Sequence, residues 1–153
     1  MDPDNPVVKL CAEGMQAEGE NRPDDARELF EQAWALATDD YEACIAAHYV
    51  ARHQRDAAAA LHWNEVALRR AVAVADSRVA PFYPSLHLNL GRSLELAGDT
   101  VAACRHYVLA AERLDALPPS PYASLVRQGV AAGRARVCPP DAGAPGCAPA
   151  GEP

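Results

Sequence analysis

The sequence predicts an all-α fold of stacked helical hairpins, and three observations carry that prediction. Apolar residues recur at helical spacing through most of the chain. Glycine and paired acids divide that pattern into short segments, as helix stops and starts do. The same spelling then returns three times in register. Its clearest statement is residues 86–117, LHLNLGRSLELAGDTVAACRHYVLAAERLDAL. Leu86, Leu88, Leu90, Leu94 and Leu96 crowd one helix around Gly91. After the turn, Val101, Ala102, Cys104, Tyr107, Val108, Ala111 and Leu114 recur at the same period. Gly98 suits a C-terminal stop because it enters the left-handed region at little cost, and Asp99 can cap the helix that follows. So short a connection makes the two helices antiparallel neighbours.

The other elements follow in order. Asn5-Pro6 starts a helix over about residues 6–19, with asparagine as cap and proline in the first turn. Pro23, Asp24 and Asp25 open a second, where the acids meet the positive end of the helix dipole. Its buried face is Leu29, Phe30, Ala33, Trp34 and Ala37. Asp39-Asp40 starts a third helix over about 41–54, and Asp56 a fourth that meets no stop until about 76. The run SRVAPFYPS is the longest internal connection. Ser120-Pro121 begins a seventh helix reaching about 136. Tyr122, Leu125, Val126, Gly129, Val130 and Val137 are its apolar side, and Ser124, Arg127, Gln128, Arg134 and Arg136 its polar side. One wet and one dry face is what a capping helix needs. From Cys138 the chain is proline, glycine and alanine, too poor in apolar groups to offset its ordering entropy, and is expected to be a disordered tail over 138–153.

Leu90-Gly91, Leu94, Ala103, Tyr107 and Ala110 resemble the tetratricopeptide repeat, in which a glycine lets two helices approach and an aromatic ring fills the gap between alanines. Ala26, Phe30 and Ala33 repeat the second-helix spelling, with Gly14 as the glycine. Ala60, Asn64 and Ala67 repeat it 34 residues later, with His48 at the glycine position. The third unit comes 43 residues on (91 − 48), the extra nine falling around 77–84. Glu13, His48 and Asn64 depart from the family's pattern. The resemblance covers about residues 6–117 and implies a right-handed α-solenoid of three hairpins (about 6–38, 40–76 and 84–117), with a cap over about 121–136. In wording it is similar to small bacterial repeat proteins of unassigned role.

Composition narrows the function. A formal charge of −7, with a single lysine, argues against a nucleic-acid or anionic-membrane partner. No apolar run approaches a membrane span, and the acidic start MDPDNP is unlike a signal peptide, so a cytoplasmic location is expected. Five cysteines at irregular spacing do not spell a disulfide framework. Cys11, Cys44 and Cys104 read as small buried groups, Cys138 and Cys147 as tail residues.

The resemblance also implies which side chains face the concave groove. They are Val8, Cys11, Met15 and Glu18 in the first helix, Glu42, Ile45, Tyr49, Arg52 and His53 in the third, and Ser85, Leu88, Arg92 and Glu95 in the fifth. Cys11, Ile45 and Leu88 would form an apolar row, flanked by Met15, Tyr49 and Arg92, with Glu18, Arg52 and Glu95 as an outer charged row. Such a groove suits a peptide or helix with apolar anchors and mixed charge. The alternative is that the charged row neutralises itself and binds nothing. The family's peptide-carboxylate clamp uses lysines, arginine and asparagines that this chain lacks. Cys44, His48 and His87 could converge as three zinc ligands, making a small-molecule or metal sensor. No close-spaced ligand pair supports this, so His48 reads as a structural histidine and no metal or cofactor is expected. His53, His62 and His106 read as surface residues, and Trp34 and Trp63 as packed between helices. With no P-loop, GxGxxG, GxSxG or HExxH, nothing points to an enzyme. A protein-interaction adaptor is the leading reading, with a homodimer or other homo-oligomer as a further alternative.

Overall fold

A computed structural model describes residues 2–74 and 76–140. Among them are seven α-helices and no strand: α1 Pro6–Gly19, α2 Pro23–Leu36, α3 Asp40–Arg52, α4 Ala57–Ala73, α5 Tyr83–Leu96, α6 Thr100–Ala111 and α7 Pro121–Val137. Most starts are set by the polar residues that the sequence points to. Asn5 Oδ1 accepts from the amides of Val7 and Val8, Asp39 from Glu42, Asp56 from Ala58 and Ala59, Asp99 from Ala102, and Ser120 from Ala123. α2 has no side-chain cap, and Asp24 and Asp25 lie in its first turn instead. Gly98 turns the chain at φ +86°.

The helices pack as hairpins: α1 on α2, α3 on α4, α5 on α6. The second helix of each lies against the next first helix, and α7 lies on α6. Short side chains allow this closeness. Ala17, Ala26, Ala33, Ala46, Ala47, Ala67, Ala71, Ala103 and Ala110 are all fully buried. Phe30, Val7, Cys11, Ile45 and Val50 form one core, Cys44, Val66, Ala67 and Leu86 a second, and Leu117, Ala123, Val126 and Val130 a third beneath α7. Trp34 and Trp63 meet edge to face at 4.9 Å between the first two cores.

Several expectations need correction. α4 stops at Ala73, and the connection after it is an ordered 3-10 segment, Ser77–Phe82, capped by Asp76 and anchored by buried Val79. α6 ends at Ala111 and a 3-10 turn, Leu114–Ala116, follows. Cys104 is not a lone buried thiol and Cys138 is not a free tail residue: they form a disulfide, Cα–Cα 5.0 Å, tying α6 to the end of α7. Spacing could not show this pair, because it joins two helices that only the fold brings together. Such a bond belongs more naturally to an oxidising compartment than to a reducing cytoplasm. Cys147 and the rest of the expected tail, 141–153, lie outside the described residues. No helix among the described residues is long and apolar enough to cross a membrane.

Candidate functional site

The same position on the second helix of each hairpin governs how neighbouring hairpins meet. In α2 it is Phe30, whose ring lies against Gly14, where an added Cβ would collide with it, and stacks on Tyr49 of α3 at 5.0 Å. In α6 it is Tyr107, held between Gly91 of α5 and Gly133 of α7. A Cβ on Gly91 would stand 3.0 Å from the ring, and one on Gly133 would overlap it. In α4 the position is Asn64, which reaches Ser93 of α5 with a 2.9 Å amide-to-hydroxyl hydrogen bond. The facing position on α3 is His48. Two seams are closed by aromatic on glycine, and the middle one is polar.

At that polar seam a cleft opens between the odd-numbered helices. α1 packs against α3 and α5 against α7, and α3 and α5 face each other across the cleft. The space between them holds two adjoining compartments. The deeper, about 360 Å³, is mainly apolar, with walls from Met15, Ile45, Phe82 and Leu86. The second, about 620 Å³ and more open, is bounded by Asn64, Leu88, Arg92, Ser93, Leu96 and Leu125. His48, Arg52, Ser85 and Tyr122 line both.

The electrostatics of this cleft are one-sided. Among the described residues no aspartate or glutamate lines either compartment, although the chain carries 21 acids against 14 bases. Arg52 pairs with Glu18 at 3.0 Å and lies over the Tyr49 ring at 5.7 Å. Arg92 is exposed and makes no hydrogen bond or ion pair among the described residues. The Tyr49 hydroxyl donates to the Met15 sulfur at 3.1 Å, a weak acceptor. Burial pushes the His48 imidazole down to about 4, helped by Arg52, so it is neutral at pH 7. Its Nδ1 and the Asn64 Oδ1 are enclosed without a hydrogen-bond partner. Burial pushes the Cys44 thiol up to about 12, which leaves it protonated and inert.

The expected groove residues divide into three sets. Met15, Ile45, Tyr49, Arg52, Ser85, Leu88 and Arg92 line the cleft. Glu18 and His53 sit beside it, joined to each other at 2.6 Å, and Glu18 also takes Arg52. The rest are elsewhere. Cys11 is 2% exposed, a core residue with no groove face. Val8 and Glu42 border a separate depression near the chain start, where Glu42 accepts from Asn5 and from the Thr38 amide and hydroxyl. Glu95 does not join an outer row with Arg52. It takes the Tyr107 hydroxyl at 2.6 Å and a two-pronged contact from Arg136, which holds its carboxyl down at about 2.

The histidines are also rearranged. Cys44 and His48 share the cleft wall, but His87 is turned to α6, its Nδ1 3.0 Å from that of His106. Among the described residues no three His, Cys, Asp or Glu side chains gather as metal ligands, so the convergence of Cys44, His48 and His87 does not occur. His53 and His106 are partly buried rather than surface residues, while His62 is exposed. Tyr122 and Leu125, assigned to the dry side of α7, are 51% and 65% exposed and edge the cleft. Sequence reasoning missed Phe82, Leu86, Asn64 and Ser93 as lining. The signal was present in the coincidence of His48, Asn64 and the nine-residue insertion within one repeat. No family model, curated protein or solved structure matches this chain.

Proposed function

We propose that the chain is a tetratricopeptide-like, right-handed helical solenoid that works as a protein-interaction module, holding a segment of a partner in the open compartment between α3, α5 and α7. The observation that carries this reading is a rim of exposed apolar side chains, Leu96, Leu125 and Tyr122, set around Arg92. Arg92 makes no direct hydrogen bond or salt bridge among the described residues, and its nearby carboxylate, Glu95, is already taken by Arg136. Exposed apolar groups grouped about a charge are the make-up of a recognition surface, with burial supplying affinity and the charge supplying register. The partner segment that fits carries apolar residues and an acid placed to meet Arg92. The absence of acids from the walls favours such a segment over a basic one.

Affinity capture with the wild-type chain, with Arg92→Glu and with Arg69→Glu, a charge reversal on α4 that lies outside both compartments, tests this. A partner retained by the wild type and Arg69→Glu but lost with Arg92→Glu supports the reading. The same proteins recovered with all three remove the cleft as the docking surface.

A further inference from the structure

The deeper compartment has the size of a small-molecule site, at about 360 Å³. It is built from five separate elements, with Met15 from α1, Ile45 from α3, Phe82 from the 3-10 segment, Leu86 from α5 and Tyr122 from α7. The nine-residue insertion therefore supplies one wall, through Pro81 and Phe82. Polar groups gather on one side. The Tyr49 hydroxyl has only a thioether to donate to, and the Arg52 guanidinium, in a half-exposed pair with Glu18, can turn to a second anion. No carboxylate faces the space from any wall.

A wholly apolar ligand would leave Tyr49 on its weak acceptor. A cationic one would meet Arg52 with no carboxylate on the walls to receive it, since Glu18 lies beside the cavity rather than in its lining. An anion on an apolar body satisfies both groups, since charge-assisted hydrogen bonds are the stronger kind. We propose that this cavity binds a small amphipathic carboxylic acid, its apolar body among Ile45, Phe82 and Leu86 and its carboxylate accepting from the Tyr49 hydroxyl and the Arg52 guanidinium. This site does not depend on a protein docking across the open compartment.

Calorimetric titration of the full chain with octanoate, phenylbutyrate, octanol and octyltrimethylammonium tests the assignment. At least one of the two acids binds saturably, octanol binds about tenfold more weakly, and the cation does not bind. Tyr49→Phe and Arg52→Gln each weaken the acid by about tenfold and leave octanol unchanged. Equal binding of all four compounds would reveal adsorption to exposed apolar surface and overturn the proposal. So would failure of both acids to bind, or acid affinity unchanged in Arg52→Gln.

Discussion

Asn64 and Ser93 are joined by a 2.9 Å hydrogen bond at the seam where the neighbouring hairpins carry an aromatic ring. Both side chains are 7% exposed, and the amide oxygen of Asn64 has no partner of its own. The bond therefore holds a buried polar group that is only half satisfied.

Ser93→Ala removes that one partner and is expected to cost about 1–3 kcal/mol, the penalty of an orphaned buried amide. Asn64→Leu in the same background replaces the amide with an apolar group of similar size and recovers most of the loss. The midpoints of urea unfolding for the three proteins decide it. Equal stability of the single and double variants would mean that the amide is satisfied in some other way.

Gly133→Ala and Gly14→Ala place a methyl group on the rings of Tyr107 and Phe30. Both rings are fully buried, and overpacking of this kind costs about 1–3 kcal/mol. Gly19→Ala meets nothing within 4 Å and serves as the control, neutral or slightly stabilising. Thermal unfolding separates the three. A Gly133→Ala protein as stable as the control would contradict the close fit of Tyr107.

Acid acts in two separate windows. His48 and His87 have folded values near 4, lowered by burial first and then by nearby Arg52 for His48 and by His106 and Arg113 for His87. The unfolded chain, with ordinary histidines near 6.5, binds more protons between about 6.5 and 4, so stability falls as pH drops through that range. For His48 the loss is on the order of 1 kcal/mol per pH unit. Glu95, held down mainly by Arg136, contributes stability that is complete above its ordinary value and is lost only as pH falls toward 2. A His48→Gln protein should lose less stability than the wild type between pH 6.5 and 4.5, while Glu95→Gln keeps the wild-type slope there. Melting temperatures measured across that range give the comparison, and parallel curves for His48→Gln would exclude His48 as a source of the slope.

Reduction of the Cys104–Cys138 bond releases the end of α7 from α6. Native disulfides typically contribute about 2–4 kcal/mol. Cys104→Ser should lower the melting temperature of the oxidised protein, and added reductant should then have no further effect. A reductant response that persists in this variant would have to come from elsewhere.

The helices were legible because their signals are local. Asn5, Asp39, Asp56, Asp99 and Ser120 announce helix starts by chemistry that needs no tertiary context, and the glycine–aromatic pairs follow from helix geometry. Gly14 with Phe30 and Gly91 with Tyr107 were readable for that reason. The cleft was legible in part. Met15–Tyr49 and Glu18–Arg52 sit 34 residues apart and meet as equal positions in a repeat should. Glu95 breaks the same row because α7 brings Arg136 to it, and α7 lies outside the repeat count. Cys11 was lost to the core, and Tyr122 and Leu125 were assigned to it wrongly, because periodicity identifies an apolar side of a helix without saying which neighbours cover it.

Gly91 and Gly133 grip the Tyr107 ring from two helices, and Phe30 is gripped likewise by Gly14 and Tyr49. Each end of the molecule is thus a keyed block in which a helix cannot slide or tilt without driving a ring into backbone. The α3–α5 boundary has no such key. Both compartments open there, at the one boundary where no ring is wedged against glycine backbone among the described residues.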